Sequence, residues 1–472
     1  MKDWVLQVYH RLPAPARSMA ASLRGLSLRR WRYGPETERL VAEALEREHW
    51  STERWKVWHD ERLAYVLHRA ATKVPYYQEY WLRRRRDGDR SSWDVLENWP
   101  ILKKDVLREN QRAFVAEDCD IRRMYHEHTS GTTGKPLDLW WSRETVRSWY
   151  ALFEARVRNW HGVSRQDNWA ILGGQLVTPF HRSRPPFWVW NAASRQLYMS
   201  SYHLSPDYIP AYLEALRHYR VDYMLGYASS MSALAHAVLE KGLDAPSLHV
   251  AISNAEPFYE HQRKCIAQAF QCPVRDTYGM SEIACAAGEC QAGTLHIWPE
   301  VGVIELLHND VEELVPAGQT GRFICTGLLN ADMPLVRYEV GDHGALAPQG
   351  AESSCACGRT LPVLQKVEGR LDDVILTRDG RRVGRLDPVF KSDFSIREAQ
   401  IIQESLDRIR VRFVPTPKYT PQDGLAIGRR LQDRVGEMKI VLEPVEHIPR
   451  SANGKFRAVI SNLATEQSES LG

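Results

Sequence analysis

Apolar positions along this chain change their period three times, and each change marks a different architecture. Over residues 36–83 they recur at helical spacing between dense charges. Leu40, Val41 and Leu45, then Leu63, Val66, Leu67 and Ala70, predict buried helix faces, with Pro75 ending the pattern. From about residue 165, short apolar runs alternate with amphipathic stretches. "NWAILGG", "VDYMLGY", "LHVAISNA" and "PVRDTYG" predict strands; "IPAYLEALRHY", "MSALAHAVLEKG" and "EHQRKCIAQAFQ" predict helices between them. That alternation predicts an α/β fold with a mainly parallel sheet. Beyond about residue 294 the helical period disappears, and "TLHIWPEVGVIELL", "GRFICTGL" and "PLVRYEVGDHGAL" read as strands between turns. From about residue 385 alternation resumes, enough for a small α+β domain of roughly 100 residues.

Composition narrows the class. A chain of 472 residues exceeds the size at which one core stops growing, so two or more domains are expected. Its 43% hydrophobic and 26% charged residues are those of a globular protein, and a net charge of +3 gives no basis for nucleic-acid binding. Eight cysteines are too few for a disulfide scaffold. No stretch reaches the apolar length needed to span a bilayer, so a cytoplasmic location is expected. The first 34 residues are arginine-rich, with Asp3 their one acid. They read either as a transit peptide or membrane-surface helix, or as a basic helix packed through Trp4, Leu6 and Tyr9; the missing small-residue cleavage site favours packing.

The candidate chemistry begins at "HEHTSGTTGKPLD", residues 126–138. Gly131 and Gly134 allow close backbone approach to a phosphate, Ser130, Thr132 and Thr133 add hydroxyls, and Lys135 adds a charge. A Walker loop is excluded, because the glycines are too close and Pro136 stands where the magnesium-binding hydroxyl belongs. Downstream follow "SNAEP" (253–257), "DTYGMSE" (276–282), "RYEVGD" (337–342), "EGRLDD" (368–373) and "SANGKFR" (451–457). In this order and spacing the motifs resemble the adenylate-forming superfamily of acyl-CoA synthetases, adenylation domains and luciferases, over about residues 120–460. "VPYYQEYW", "WPILKKDVLREN", "RPPFWVWNAASRQLYMSSYHLS" and "ALRHYRVDYMLGYASSMSALA" extend the resemblance to the phenylacetate–CoA ligase-like branch with its capsule-biosynthesis relatives.

The resemblance implies a large multi-layer adenylation domain over 1–369 and a small mobile lid over 370–472, hinged near Asp372. It implies acyl-adenylate formation from a carboxylic acid and ATP, then transfer of the acyl group to a thiol, with coenzyme A the favoured acceptor. By resemblance, Ser130–Lys135 grip the outer phosphates, Ala255, Glu256 and Pro257 line the adenine pocket, and Tyr278 of the Tyr278–Gly279 pair stacks on the base. Ser281 meets the α-phosphate, Glu282 binds Mg²⁺, Asp342 takes the ribose hydroxyls and Arg370 contacts the ribose or phosphates. Lys455, projected by the Asn453–Gly454 turn, reaches the reacting carboxylate and α-phosphate.

Cys290, His296, Cys355 and Cys357 offer three thiolates and an imidazole, a structural Zn²⁺ set, with Cys285 as an alternative ligand. The aromatic segment 185–203, through Trp188 and Tyr202, together with Gly226 and Tyr227, is read as an acyl pocket for an aromatic acid. The plainer reading of that segment is loop packing or a homodimer contact. Arg378, Arg381, Arg382 and Arg385 either meet the coenzyme's phosphates or lie in solvent. An amine or hydroxyl acceptor, and a silent scaffold relative, are the competing functions.

Overall fold

The computed structural model describes residues 8–128, 137–175, 177–179, 182–205, 207–309, 311–348, 355–370, 375–377, 382–383, 386, 395–450 and 456–463. Four helices lead: α1 (Ala14–Arg32), α2 (Thr37–Arg47), α3 (Thr52–Lys73) and α4 (Pro75–Arg86). Ser51 caps α3 by accepting from Arg54 N–H, and Pro75 both closes α3 and opens α4, where a missing N–H costs nothing. The faces predicted around Val41, Val66, Leu67 and Ala70 are buried. The short α5 (Lys104–Glu109) follows, then the antiparallel hairpin β1 (Tyr125–His128) and β2 (Asp138–Trp141), then α6 (Arg143–Phe153).

The centre is an eight-stranded sheet. Its strands are β3 (Trp169–Gly173), β4 (Trp188–Asn191), β5 (Gln196–Ser200), β6 (Tyr223–Gly226), β7 (Val250–Ser253), β8 (Val274–Gly279), β9 (Ala286–Glu289) and β10 (Leu295–Ile297), in the spatial order β10-β9-β8-β7-β6-β3-β5-β4. The five strands β8, β7, β6, β3 and β5 run parallel; β4, β9 and β10 are added antiparallel at the edges. Both faces are covered, so β6 and β7 are buried along their whole length and read in sequence as unbroken apolar runs. Strand period two divides the side chains: Tyr223, Leu225, Val250 and Ile252 join one core, while Met224 and Ala251 join the other, under α7 (Ile209–His218), α8 (Ala228–Glu240) and α9 (Glu260–Phe270).

A four-stranded antiparallel sheet follows, of β11 (Gly302–Leu307), β12 (Gly321–Gly327), β13 (Tyr338–Leu346) and β14 (Leu364–Arg370). After the two-stranded ribbon β15 (Ile375–Leu376) and β16 (Arg382–Val383) comes the small C-terminal domain. It holds β17 (Ile396–Ser405), β18 (Arg408–Pro415), α10 (Pro421–Val435), β19 (Lys439–Pro444) and β20 (Val459–Ser461), ordered β19-β18-β17-β20. Its separate core gathers Ile401, Ile409, Val411, Ile427 and Leu431. The observed α/β body followed by a small α+β domain is the predicted fold class.

One interior feature is ionic. A π-helical turn, Glu154–Arg158, extends α6 and buries Glu154, Arg156 and Arg158. Arg156 donates bidentately to Glu300 at 2.7 and 2.8 Å and reaches Glu48 at 3.3 Å; Glu48 also accepts from Trp160 Nε1 at 2.8 Å and Arg359 at 2.7 Å. This network ties α2 and α6 to the strand-rich half. Glu300→Ala would remove the bidentate partner of a buried guanidinium and leave it the longer contact to Glu48, and a loss of about 3–5 kcal/mol in urea unfolding is expected. A loss below about 1 kcal/mol, the range of exposed pairs, would contradict this account.

Candidate active site

Parallel sheets offer a crevice at the carboxyl ends of their strands, where helix N-termini and loops converge. Here β3, β6, β7 and β8 end at Gly173, Gly226, Ser253 and Gly279. Asn254 N–H closes onto Gly226 O at 3.1 Å, and a Cβ on Gly226 would meet Leu172 O at 2.8 Å, so only glycine lets these strand ends approach. Ala255 then takes a left-handed φ of 62°, a strained choice for a residue with a Cβ.

That turn aims Glu256. Its carboxylate accepts Ser229 N–H, at the start of α8, at 2.9 Å, and Phe456 N–H of the C-terminal domain at 2.6 Å. Burial pushes its pKa up, against the two N–H donors and Arg450. The resemblance implies that the Glu256 backbone lines an adenine pocket; its side chain joins the two domains. Beside it, Arg450 pairs with Glu398.

Tyr278 donates to Asp342 Oδ2 at 2.8 Å, with Phe323 edge-on to its ring at 5.9 Å. Burial and the neighbouring carboxylate raise the phenol's pKa. Asp342 follows Gly341, whose φ of 86° belongs to glycine. The β13–β14 register sets Asp342 opposite Arg370.

Glu282, 7% exposed, accepts Lys104 Nζ at 2.9 Å and Tyr338 Oη at 3.0 Å, both on Oε1. Burial acts to raise its pKa, but Lys104 and Tyr338 prevail and hold it below the usual value. Two left-handed residues flank this pair in sequence, Ile283 after Glu282 and Arg337 before Tyr338, each with φ 49°. For a β-branched side chain such as Ile283 that is a strained backbone, held by its surroundings. Ser281 is exposed next to it. One carboxylate with an oxygen that takes neither contact suits Mg²⁺, which binds through one or two carboxylates and leaves its other positions to water and phosphate.

Sequence reasoning missed Lys104 and Tyr338, which reach Glu282 across 178 and 56 residues. It also passed over Asp276. Burial and the facing Glu289 lift the Asp276 carboxyl to about 7, and Glu289 is itself held bidentately by Arg263. Asp276 lay inside "DTYGMSE", so the motif contained a signal.

Several predicted residues lie outside the described ones: Ser130, Gly131, Thr132, Thr133, Gly134 and Lys135, the hinge Asp372, Lys455, and the side chain of Arg370. Their described neighbours are placed. His128 pairs with Asp138 across the first segment, and Phe456, next to Lys455, is the residue held by Glu256. Among the residues expected to form an acyl pocket, Tyr202 donates to Gly174 O at 2.9 Å, and Tyr227, also bonded to the Gly174 backbone, is raised to about 12 by burial and then by Glu256 and Tyr202. Trp188 stands elsewhere, edge-on to Tyr212 at 5.8 Å.

Cys290, His296, Cys355 and Cys357 converge, with their ligand atoms within 4.8 Å of one another. Zinc bonds of about 2.3 Å to sulfur in a tetrahedron require sulfurs about 3.8 Å apart; Cys290 and Cys355 Sγ are 3.7 Å apart, and Cys357 Sγ lies 3.3 Å from His296 Nε2. Assigned as the donor, His296 Nδ1 bonds Leu361 O at 2.9 Å, which leaves Nε2 turned to the thiols. The donors fit the metal. Cys285, the alternative ligand, instead adjoins Cys325 at 3.4 Å.

The AMP-binding enzyme family model matches residues 57–330, more than half of the chain. The chain belongs to the AMP-binding enzyme family. Residues 375–462 of this AMP-binding enzyme match the CapK C-terminal domain. Protein CapK of Staphylococcus aureus is 24% identical over 82% of this chain and 85% of its own length. Phenylacetate-coenzyme A ligase of Thermus thermophilus is 24% identical over 91% and 99%. Together these place the enzyme in the phenylacetate–CoA ligase-like branch of the adenylate-forming superfamily. A 2-hydroxyisobutyryl-CoA ligase in its postadenylation state superposes with TM-score 0.67 at 21% identity, over 90% of this chain and 93% of that one. In its thioesterification state the same ligase gives 0.54, at 21% identity over 90% and 94%.

Lys104→Met tests the Glu282 pair. A carboxylate held below its ordinary value contributes stability above the carboxylate range and loses it as pH falls through the folded pKa. Without the lysine, burial raises the pKa instead. Urea unfolding of the variant should show a deficit of about 3–5 kcal/mol near neutral pH, shrinking as pH falls through the wild-type carboxylate's depressed pKa. A pH-independent deficit would show that Lys104 acts by packing alone.

Proposed function

We propose that this enzyme joins a carboxylic acid to ATP as an acyl-adenylate, releases pyrophosphate, and passes the acyl group to a thiol, with coenzyme A as acceptor and an aromatic acid as substrate. The observation that carries the reading is the bond from Phe456 N–H to Glu256: it holds the residue after Lys455 at the carboxyl ends of the parallel strands, where β8 ends with Tyr278 bonded to Asp342. The better superposition on a postadenylation state than on a thioesterification state supports the same lid position.

A carboxylate cannot expel oxide, so its oxygen attacks the α-phosphorus and pyrophosphate leaves; AMP is then the leaving group for the thiol. The protein's task is positioning and charge compensation. Asp342 accepts the ribose hydroxyls, and the bond from Tyr278 fixes the carboxylate's orientation. Tyr278 offers its ring to the adenine, and the Ala255–Pro257 backbone forms the adjacent edge. Glu282 holds Mg²⁺, which when bound neutralises phosphate charge, and Lys104 sets the carboxylate's charge and aim. Lys455 reaches the substrate carboxylate and α-phosphate, and Ser130–Lys135 take the outer phosphates. Tyr202, Gly226 and Tyr227 border the acid. Rotation about Asp372 exchanges this lid position for one that admits the thiol.

The test is ATP–pyrophosphate exchange across aryl, arylacetic, short-chain and amino acids. Exchange driven by one acid class and abolished in Lys455→Ala, while that variant still consumes a supplied acyl-adenylate with coenzyme A, is the expected result. Persistent exchange in Lys455→Ala would overturn the assignment. Glu256→Ala should depress exchange about tenfold or more and the second half-reaction less, because it removes one lid contact with a charged acceptor; equal losses would refute a lid-holding role.

We also propose a structural zinc at Cys290, His296, Cys355 and Cys357, closed to catalysis because all four positions are protein ligands. Cys357→Ser should lower bound zinc, measured by plasma emission, and the melting temperature together. Wild-type protein without zinc and an unchanged melt in the variant would remove the site.

A further inference from the structure

The N-terminal helix α1 is held by one face only, and the chemistry of its other face is specific. Its inner face is fastened by named contacts. Arg17, fully buried, donates to Thr178 Oγ1 at 2.6 Å, and Ser18 Oγ accepts Trp190 N–H at 3.2 Å. Ser22 Oγ accepts Ala192 N–H at 3.0 Å. Gly25 lies so close to Asn191 that a Cβ there would meet its Oδ1 at 2.1 Å. These contacts lay α1 along the edge strand β4 and fix its rotation.

That rotation turns Met19, Leu23 and Leu26 outward, at 63%, 62% and 48% exposure. At 3.6 residues per turn they form one stripe, continued by Arg30. Arg11, Arg24, Arg29 and Arg30 are exposed in the same segment, and residues 8–32 contain six arginines and no acid. The last turn of α1 carries Arg29, Arg30 and Arg32. An outward apolar row flanked by Arg29 and extended by Arg30, on a helix without acidic residues, matches a surface with apolar depth and negative charge, the boundary of an anionic bilayer. No described helix is long and apolar enough to cross a membrane.

We propose that α1 docks this enzyme flat on an anionic membrane surface, with Met19, Leu23 and Leu26 entering the headgroup–acyl boundary and Arg29 and Arg30 pairing with lipid phosphates. Zwitterionic lipid alone supplies the apolar boundary without net charge and binds weakly. A second copy of the chain is disfavoured as the occupant, because it would bring the same cations into contact.

The full chain is tested by co-sedimentation with vesicles of phosphatidylcholine containing about one third phosphatidylglycerol, against phosphatidylcholine alone, at low and physiological salt. Binding should favour the anionic vesicles by about tenfold or more and weaken as salt screens the charges. Leu23→Glu/Leu26→Glu should lose about tenfold in binding at either salt, and Arg29→Glu/Arg30→Glu should lose the preference for anionic lipid. Both variants change exposed positions, so their melting temperatures should match the wild type. No binding to anionic vesicles, equal binding by both variants, or a wild-type dimer dissolved by Leu23→Glu/Leu26→Glu would each overturn the proposal.

Discussion

The carboxylate of Glu256 is the constraint on which the arrangement of the site depends. One oxygen takes the N–H of Ser229 at the start of α8, and the other takes the N–H of Phe456 from the C-terminal domain. The first contact sets an anion against the positive end of a helix, a stable and permanent partnership. The second crosses a domain boundary and is lost whenever the domains separate. A buried carboxylate that loses one donor must recover water or protonate, so this bond gives the lid position a definite free-energy difference without a large apolar interface.

The large N-terminal body is held by other means. Three non-glycine residues adopt left-handed backbone next to site residues: Ala255 before Glu256, Ile283 after Glu282 and Arg337 before Tyr338. Each conformation is unfavourable in an isolated chain and persists only because packing over-determines it. The buried ion networks do this elsewhere in the body. Glu282 with Lys104 and Tyr338 pins α5 and β13 to the turn after β8, and Arg156 with Glu300 and Glu48 pins the helical layer to the strand-rich half. Charges that cannot relax are costly to bury, but once paired they fix positions more narrowly than apolar contacts can.

Most of the architecture was legible because its signals are local. Val250–Ser253 is a fully buried run followed by an amphipathic helix, and that alternation by itself predicts a parallel sheet. The motifs were legible for the same reason, each being a few residues at a strand end. What was illegible is tertiary. Lys104 opens a short charged helix and looks like any solvated lysine until the fold brings Glu282 to it from 178 residues away. Trp188 and Tyr202 share one aromatic-rich segment, yet Trp188 opens the edge strand β4 and packs against Tyr212, while Tyr202 stands in the turn after β5 and bonds the Gly174 backbone, a division made by the elements and not by composition. In the cysteine set, the pairs stand about 60 residues apart in the chain, and only the pairing of β9 with β10 and the approach of Leu361 to His296 unite them.

The N-terminal helix shows why a period alone underdetermines function. Its apolar residues are spread around the barrel, and inspection of the sequence favours a helix packed by Tyr9 and its neighbours. Tyr9 does donate to Val177 O, and α1 does cover the open edge of the sheet beside β4, where unpaired backbone would otherwise invite association. Edge protection, however, requires only the inner face, and Arg17, Ser18, Ser22 and Gly25 supply it with polar contacts and a close approach. The seal therefore owes little to Met19, Leu23 and Leu26, which point away from it. Three large apolar side chains held outward in one row by a fixed helix form a continuous apolar strip that folding leaves in water, and that strip is what the membrane proposal accounts for.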